Sequence, residues 1–189
     1  VNSDEYKVMG LAAYGEPKYL DKLELLVDNM HLNEFKLNLD YFEFNDYFHK
    51  KTFSTKLEDL ISLEPLKDIT KVTQEHKDLA ASIQCLIEKI ILGFIKEIKI
   101  KYPKSKNICL GGGVALNSVC NMKISKLGIF DEIYIPSSPG DGGSAIGCAY
   151  LGLINNNQKI KSNYQPYLGR NIKKNISDYK KFGSVGDVG

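Results

Sequence analysis

The stretch that decides the fold is NICLGGGVALNSVCNMKI, residues 107–124, in which a short apolar run meets three glycines. NICL predicts a short buried strand, GGGVALN a turn, and residues 115–127 a helix. A second unit repeats this order with EIYI at 132–135, the turn PSSPGDGGS, and a helix of small residues over 144–154. Two successive strand–turn–helix units predict parallel strands whose turns lie at the same edge of the sheet.

The first glycine turn is a candidate nucleotide site, because ligands bind at the carboxyl edge of open α/β sheets. Gly111, Gly112 and Gly113 let the backbone approach a phosphate closely, and the following helix offers free N–H groups. Asn117, about one turn further on, can hydrogen-bond a ribose or a phosphate. The residues alone leave a plain tight turn open as the alternative. The pattern is neither the dinucleotide fingerprint nor a P-loop.

The second turn, PGDGGSAIG at 139–147, presents Asp141 between glycines. A carboxylate in this position suits a metal ligand or a holder of metal-bound water, and a simple helix cap is the alternative. His31, His49 and His76 are far apart and form no H-x-x-x-H pair, so we predict surface histidines and no metal site complete within this chain. A G-x-S-x-G serine motif is also absent from the sequence.

The flanking segments predict helices packed on the sheet. Residues 73–101 carry a wide apolar stripe at helical spacing, with Thr73 as the N-cap. Residues 18–30, after a turn at Gly15, predict a shorter amphipathic helix. Apolar and polar residues alternate from Phe35 to Phe44, which predicts a hairpin or flap inside the segment 31–70. From residue 54 onward the segment is polar and predicts a helix at best.

Composition narrows the class of protein. The chain has 189 residues, 43% of them hydrophobic, and a net charge of +2, which suits one domain or one lobe and not a nucleic-acid-binding surface. Four cysteines without a C-x-x-C pair predict buried free thiols in a reducing cytoplasm. No apolar run reaches the roughly 20 residues of a membrane span. Because the sequence begins in mid-pattern at Val1, we expect a fragment of a longer protein.

Four motifs taken together carry a family resemblance. In order they are EYKVMGLAAYGEP, DLAASIQCLIEKI, ICLGGGVALNSVCNMKI and IYIPSSPGDGGSAIGCAY. This combination resembles the nodulation and antibiotic O-carbamoyltransferase family over residues 4–170. Residues 31–70 match poorly, as a variable insertion would. PYLGR, at 166–170, is similar to that family's link to a second domain.

The resemblance implies an α/β fold, the second lobe of an actin-like ATPase (ASKHA) fold, with a mixed sheet, packed helices and an inserted aromatic hairpin. Such a fold is similar to the tRNA threonylcarbamoyl-adenosine transferase subunit. Residues 1–170 would form this lobe of the larger N-terminal domain. Residues 171–189 would be a linker or the start of a C-terminal domain that the chain lacks.

The resemblance also implies the chemistry and the site. ATP and carbamoyl phosphate would give carbamoyl-adenylate, and the carbamoyl group would pass to a hydroxyl of a sugar or antibiotic-like acceptor. Asp141 would bind a divalent metal, Fe(II), together with a histidine pair outside this chain. The residues implied on the nucleotide side are Lys7, Gly10, Gly15, Gly111, Gly112, Gly113, Asn117, Gly142 and Gly143.

Parts that this family needs are missing from the sequence, namely the paired histidines, the first lobe with its phosphate loop, and the C-terminal domain. We therefore expect the chain alone to be inactive, and no catalytic residue is assigned. No obvious nucleophile is present, which favours direct transfer between small molecules. A sugar-kinase-like phosphotransferase lobe and a non-catalytic nucleotide-binding lobe remain alternatives.

Overall fold

A computed structural model describes residues 4–44, 52–66 and 68–159 of the chain. Within these ranges the protein is mixed α/β, with helices packed against two small sheets. The chain divides into two compact units, residues 1–144 and 145–189. Among the described residues, no helix combines the length and apolar character that a bilayer crossing needs.

The first unit begins with two short helices, α1 (Glu5–Ala12) and α2 (Leu20–Glu24). Two short strands, β1 (Val27–Asn29) and β2 (Lys36–Leu37), follow and pair antiparallel with an irregular register. Helix α3 spans Thr55–Ile61. Apolar residues of α2 and α3 pack on the middle of a later, longer helix in a cluster centred on Leu23, Ile61 and Leu86.

That longer helix, α4, runs over Gln74–Lys101 and is the central element of the unit. Its N-terminus confirms the predicted cap at Thr73, which makes a reciprocal capping box with His76. The helix ends at Lys101, because Tyr102 precedes Pro103 and a residue that precedes proline avoids the helical conformation. A single element therefore supports both the N-terminal helices and the parallel sheet.

The two strand–turn–helix units are confirmed. Strands β3 (Asn107–Cys109) and β4 (Glu132–Tyr134) pair in parallel, with Ile108 opposite Ile133. Helix α5 (Ser118–Lys126) connects them. A core of Ile95, Cys120, Ile124 and Phe130 joins α4 and α5, and both central strand isoleucines pack against it. The carboxyl ends of both strands consequently lie at one edge.

Two predicted elements differ from the structure. The helix predicted over 18–30 is wrong beyond α2, because the chain turns into β1. The strand predicted from Phe35 to Phe44 shrinks to β2, since Leu39–Tyr41 form a 3-10 turn in which the Asn38 side chain accepts from the Asp40 N–H at 3.2 Å. An asparagine side chain that hydrogen-bonds a nearby main-chain N–H competes with the hydrogen bonds between β-strands. A single bridge joins Phe42 to Phe53, and residues 45–51 lie outside the described ranges.

Helix α6 (Ser144–Asn155) agrees with the helix predicted after the second turn. The segment PYLGR at 166–170 and the predicted linker at 171–189 lie outside the described residues. All four cysteines are unpaired, as predicted, but Cys109 and Cys148 are exposed and not buried. Burial raises the pKa of the Cys120 thiol, so that thiol is held in its protonated form.

Candidate functional site

The first glycine loop leaves β3 and forms a tight turn before α5. Gly112 has φ +93° and ψ 166°, a backbone conformation that side-chain-bearing residues rarely adopt. Gly113 to Leu116 then make one 3-10 turn, in which Ala115 is buried. The three glycines are themselves exposed. The three glycines therefore present their backbone to solvent, while Val114 and Leu116 of the same loop expose their side chains.

The second glycine loop leaves β4 and forms the 3-10 turn Asp141–Gly143. The Gly143 N–H donates to the Gly140 carbonyl at 2.9 Å. A Cβ at position 143 would lie 2.1 Å from the Ser138 carbonyl oxygen, so this turn has no room for a side chain there. The Ser144 hydroxyl donates to the Asp141 carbonyl at 2.6 Å and closes the turn.

The two loops touch each other, as the parallel topology predicts. The Gly112 N–H donates to the Pro139 carbonyl at 2.7 Å. A Cβ built on Gly140 would lie 3.7 Å from the Leu116 side chain and 3.9 Å from the Gly113 Cα. The amides of Gly111 and Gly113 donate to no acceptor among the described residues. Two linked loops thus present free N–H groups at the carboxyl edge of the strands, which is where open α/β sheets bind ligands.

Asn117 has structural partners that the sequence did not reveal. Its side-chain oxygen accepts from the Cys120 N–H at 3.0 Å and so caps α5. The same amide group pairs with Gln84 of α4 through two hydrogen bonds of 2.9 and 3.1 Å. A cap of this kind is worth about 1 kcal/mol. The predicted ribose or phosphate contact of Asn117 is therefore left with one amide hydrogen, and it stays a prediction.

Asp141 is exposed, and its carboxylate has no hydrogen-bond or ion-pair partner among the described residues. In the same residues no group of three or more histidine, cysteine, aspartate or glutamate side chains could hold a metal ion. The described part of the chain therefore offers one candidate ligand and does not form a metal centre by itself. The predicted role of Asp141 depends on ligands from elsewhere in the protein.

The three N-terminal residues of the predicted nucleotide side lie on or after α1. Lys7 pairs with Asp4 at 2.8 Å, and this carboxylate raises the pKa of the lysine. Gly10 has open space around it. Gly15 lies against the first turn of α4, where a Cβ would stand 2.1 Å from the Lys77 carbonyl oxygen. Close packing of the backbone thus accounts for Gly15, and contact with a nucleotide stays a prediction for all three.

Asp78, which sequence reasoning missed, fixes this N-terminal loop on α4. Its buried carboxylate accepts from the Glu16 N–H at 2.9 Å, the Lys18 ammonium at 2.7 Å and the Gln74 amide at 2.9 Å. These contacts, the lysine first, lower the pKa of Asp78 to about 2. The fully buried Ser82 hydroxyl accepts from the Tyr19 N–H one turn later. The signal in the sequence was an acid followed by small residues in DLAAS.

We expect Asp78→Asn to loosen this loop in a pH-dependent way. The folded pKa of about 2 lies below the ordinary 3.8, so the carboxylate stabilises the docked loop fully above about pH 4 and progressively less as the pH falls toward 2. Above pH 5 the variant should exchange its Glu16 and Tyr19 amide hydrogens about tenfold faster than the wild type. Below pH 2, where the carboxyl is protonated in the folded state as well, the two proteins should converge. A difference that persists unchanged at pH 2 would contradict the assignment to charge.

The histidines do not form a site in the described residues. His31 is a surface residue, as predicted, and lies 2.8 Å from Glu97. His76 is half-buried in the capping box of α4, which corrects its prediction as a surface residue. His49 lies outside the described residues.

Comparison with known proteins shows the family to which the chain belongs. The family described as carbamoyltransferase N-terminus matches residues 1–150. An uncharacterized protein of Synechocystis, sll1178, is 42% identical over 79% of this chain and 24% of its own length. Nodulation protein NolNO of Sinorhizobium fredii is 33% identical over 78% of the chain and 20% of its own length.

Nodulation protein NolO of Bradyrhizobium diazoefficiens is 30% identical over 78% of the chain and 25% of its own length. The chain thus spans a quarter or less of these curated relatives. The matched region contains α1, Asp78 and both glycine loops. The chain therefore belongs to the carbamoyltransferase family and corresponds to part of its N-terminal region.

Proposed function

We propose that this chain is the second, nucleotide-binding lobe of an ATP-dependent O-carbamoyltransferase with an actin-like ATPase fold. The observation that supports the proposal most directly is the pair of glycine loops joined by the Gly112–Pro139 hydrogen bond, with free amides at Gly111 and Gly113. N–H groups in such a cradle suit the phosphates of ATP, and family membership supplies the carbamoyl chemistry. The proposal includes contact between the nucleotide and the residues that the sequence analysis named on the nucleotide side. It also includes a cytoplasmic location.

The proposed reaction has two halves. Hydrolysis of carbamoyl phosphate releases phosphate and carbamate. A carbamate oxygen attacks the α-phosphorus of ATP, pyrophosphate leaves, and carbamoyl-adenylate forms. The oxygen of an acceptor hydroxyl, on a sugar or an antibiotic-like molecule, then attacks the carbamoyl carbon, its proton is released to water, and AMP leaves with the bonding electrons. Loop amides that hold the phosphates stabilise negative charge and act neither as a base nor as a nucleophile.

A divalent metal, Fe(II) by resemblance, completes the proposal, with Asp141 as one ligand and the others from outside this chain. Such an ion would supply charge neutralisation at phosphate or at the acceptor oxygen. The residues of this chain hold the nucleotide and orient the loops.

The test uses the full-length protein with ATP and carbamoyl phosphate. We expect pyrophosphate release that depends on carbamoyl phosphate, and a mass-spectrometric signal for carbamoyl-adenylate. Formation of ADP with a sugar acceptor would replace the proposal by a kinase. ATP binding without turnover in a folded protein would reduce this lobe to a non-catalytic binding module.

A further inference from the structure

A buried polar cluster lies between α4 and α5 and is not used by the proposed chemistry. Gln84 and Glu88 stand one turn apart on α4, with only 8% and 5% of their surface exposed. The Glu88 carboxylate forms an ion pair with Lys123 of α5. Buried charged and amide groups cost desolvation energy, and apolar residues of similar size would fill this space without that cost. The cluster must therefore be explained by what it orients.

Gln84 uses its whole amide group in this cluster. Its nitrogen donates to Glu88 at 2.9 Å and to the Asn117 side-chain oxygen at 3.1 Å. Its oxygen accepts from the Asn117 side-chain nitrogen at 2.9 Å. Two amides paired in both directions fix the position and the rotation of Asn117, because any other rotamer would leave a buried donor or acceptor unpaired.

Asn117 in turn holds the first glycine loop through its main chain. It stands between the 3-10 turn and α5, and its own N–H donates to the Val114 carbonyl at 2.9 Å. Asn121, one turn into α5, donates to the Ala115 carbonyl at 2.8 Å. The turn held in this way begins directly after Gly112, whose N–H donates to the Pro139 carbonyl of the second loop. A continuous hydrogen-bonded path thus leads from Gln84 to both loops.

We propose that Gln84 is a positioning residue, which holds Asn117 so that the first glycine loop keeps the conformation in which it binds its ligand. Glu88 orients Gln84, and Lys123 neutralises Glu88. The inference rests on the proposed function only for the identity of that ligand, the phosphates of ATP. The position of the loop itself can be measured without any nucleotide.

The experiment compares Gln84→Met with wild type in the full-length protein. Methionine keeps the length of the side chain but removes its hydrogen bonds, so the Asn117 side chain loses its partner on α4 and keeps, among the described residues, only the Cys120 N–H. We expect faster amide exchange over residues 111–121, an ATP Kd raised about tenfold, and an unchanged KM for carbamoyl phosphate. Glu88→Gln keeps an acceptor for Gln84, so amide exchange and the ATP Kd should rise in the same way but by less. This variant replaces Gln84→Met in the experiment if Gln84→Met does not fold.

Ile95→Val is the matched control, since Ile95 is buried between the same two helices and makes no polar contact through its side chain. It should lower the melting temperature and leave the ATP Kd unchanged. An equal rise of Kd in the control, or unchanged exchange in Gln84→Met, would overturn the positioning role. Wild-type protein that binds no ATP, while Gln84→Met still loosens residues 111–121, would refute the proposed function and leave the loop positioning supported.

Discussion

Gly143→Ala is expected to reduce kcat/KM for carbamoyl-adenylate formation by about 100-fold or more in the full-length protein. The added Cβ would lie 2.1 Å from the Ser138 carbonyl oxygen, and backbone cannot rotate away as a side chain can. The turn Asp141–Gly143 must therefore shift by an ångström or more, and a displacement of that size at a reacting site costs about this factor. Pyrophosphate release at varied ATP measures the effect.

Neighbouring glycines supply graded controls for this prediction. At Gly142 the new Cβ would meet only the Ser138 hydroxyl at 3.2 Å, which can rotate, so Gly142→Ala should lose much less activity. Gly147 has nothing within 4 Å and lies inside α6, where alanine is the better helix former. Gly147→Ala should keep full activity. Equal activity for all three variants would remove the second loop from the reaction.

The candidate loops could be predicted from the sequence because their signals are local. An apolar run of four residues, a set of glycines and a helix occupy about 20 successive positions, and a helix that connects two strands of one sheet makes the second strand parallel to the first. The cap at Thr73 has the same local character. Parallel pairing of β3 with β4 and contact between the two loops both follow from rules that need no knowledge of distant residues.

The features that sequence reasoning missed depend on residues that are far apart in the chain. Asp78 reads as an ordinary surface acid of a helix until Glu16 and Lys18, 60 or more positions earlier, supply its donors. Asn117 pairs with Gln84 across 33 positions, which no local pattern indicates. Strand β1 occupies the end of an apolar pattern with helical spacing, because pairing with β2 overrides the local preference.

Asp141→Ala is expected to remove the metal from the full-length protein and to lower carbamoyl transfer at least about 100-fold, while the fold stays intact. The fold should stay intact because, in the part of the chain that the structure describes, the Asp141 side chain makes no contact that supports it. Its carboxylate is exposed and has no partner among the described residues, so its removal breaks no contact seen there. The turn is closed instead by the Asp141 main-chain carbonyl, which accepts from Ser144.

Asp131→Ala is the matched control, because Asp131 is also an exposed acid, placed just before β4, and its N–H donates to the Lys106 carbonyl as a main-chain contact. Both variants lose one surface carboxylate from the same strand–loop unit, so a general charge effect would change them equally. Metal content measured by inductively coupled plasma mass spectrometry, beside circular dichroism for the fold, separates the two cases. Wild-type metal stoichiometry in Asp141→Ala would exclude this carboxylate as a ligand, and the second glycine loop would then have a role in binding the nucleotide alone.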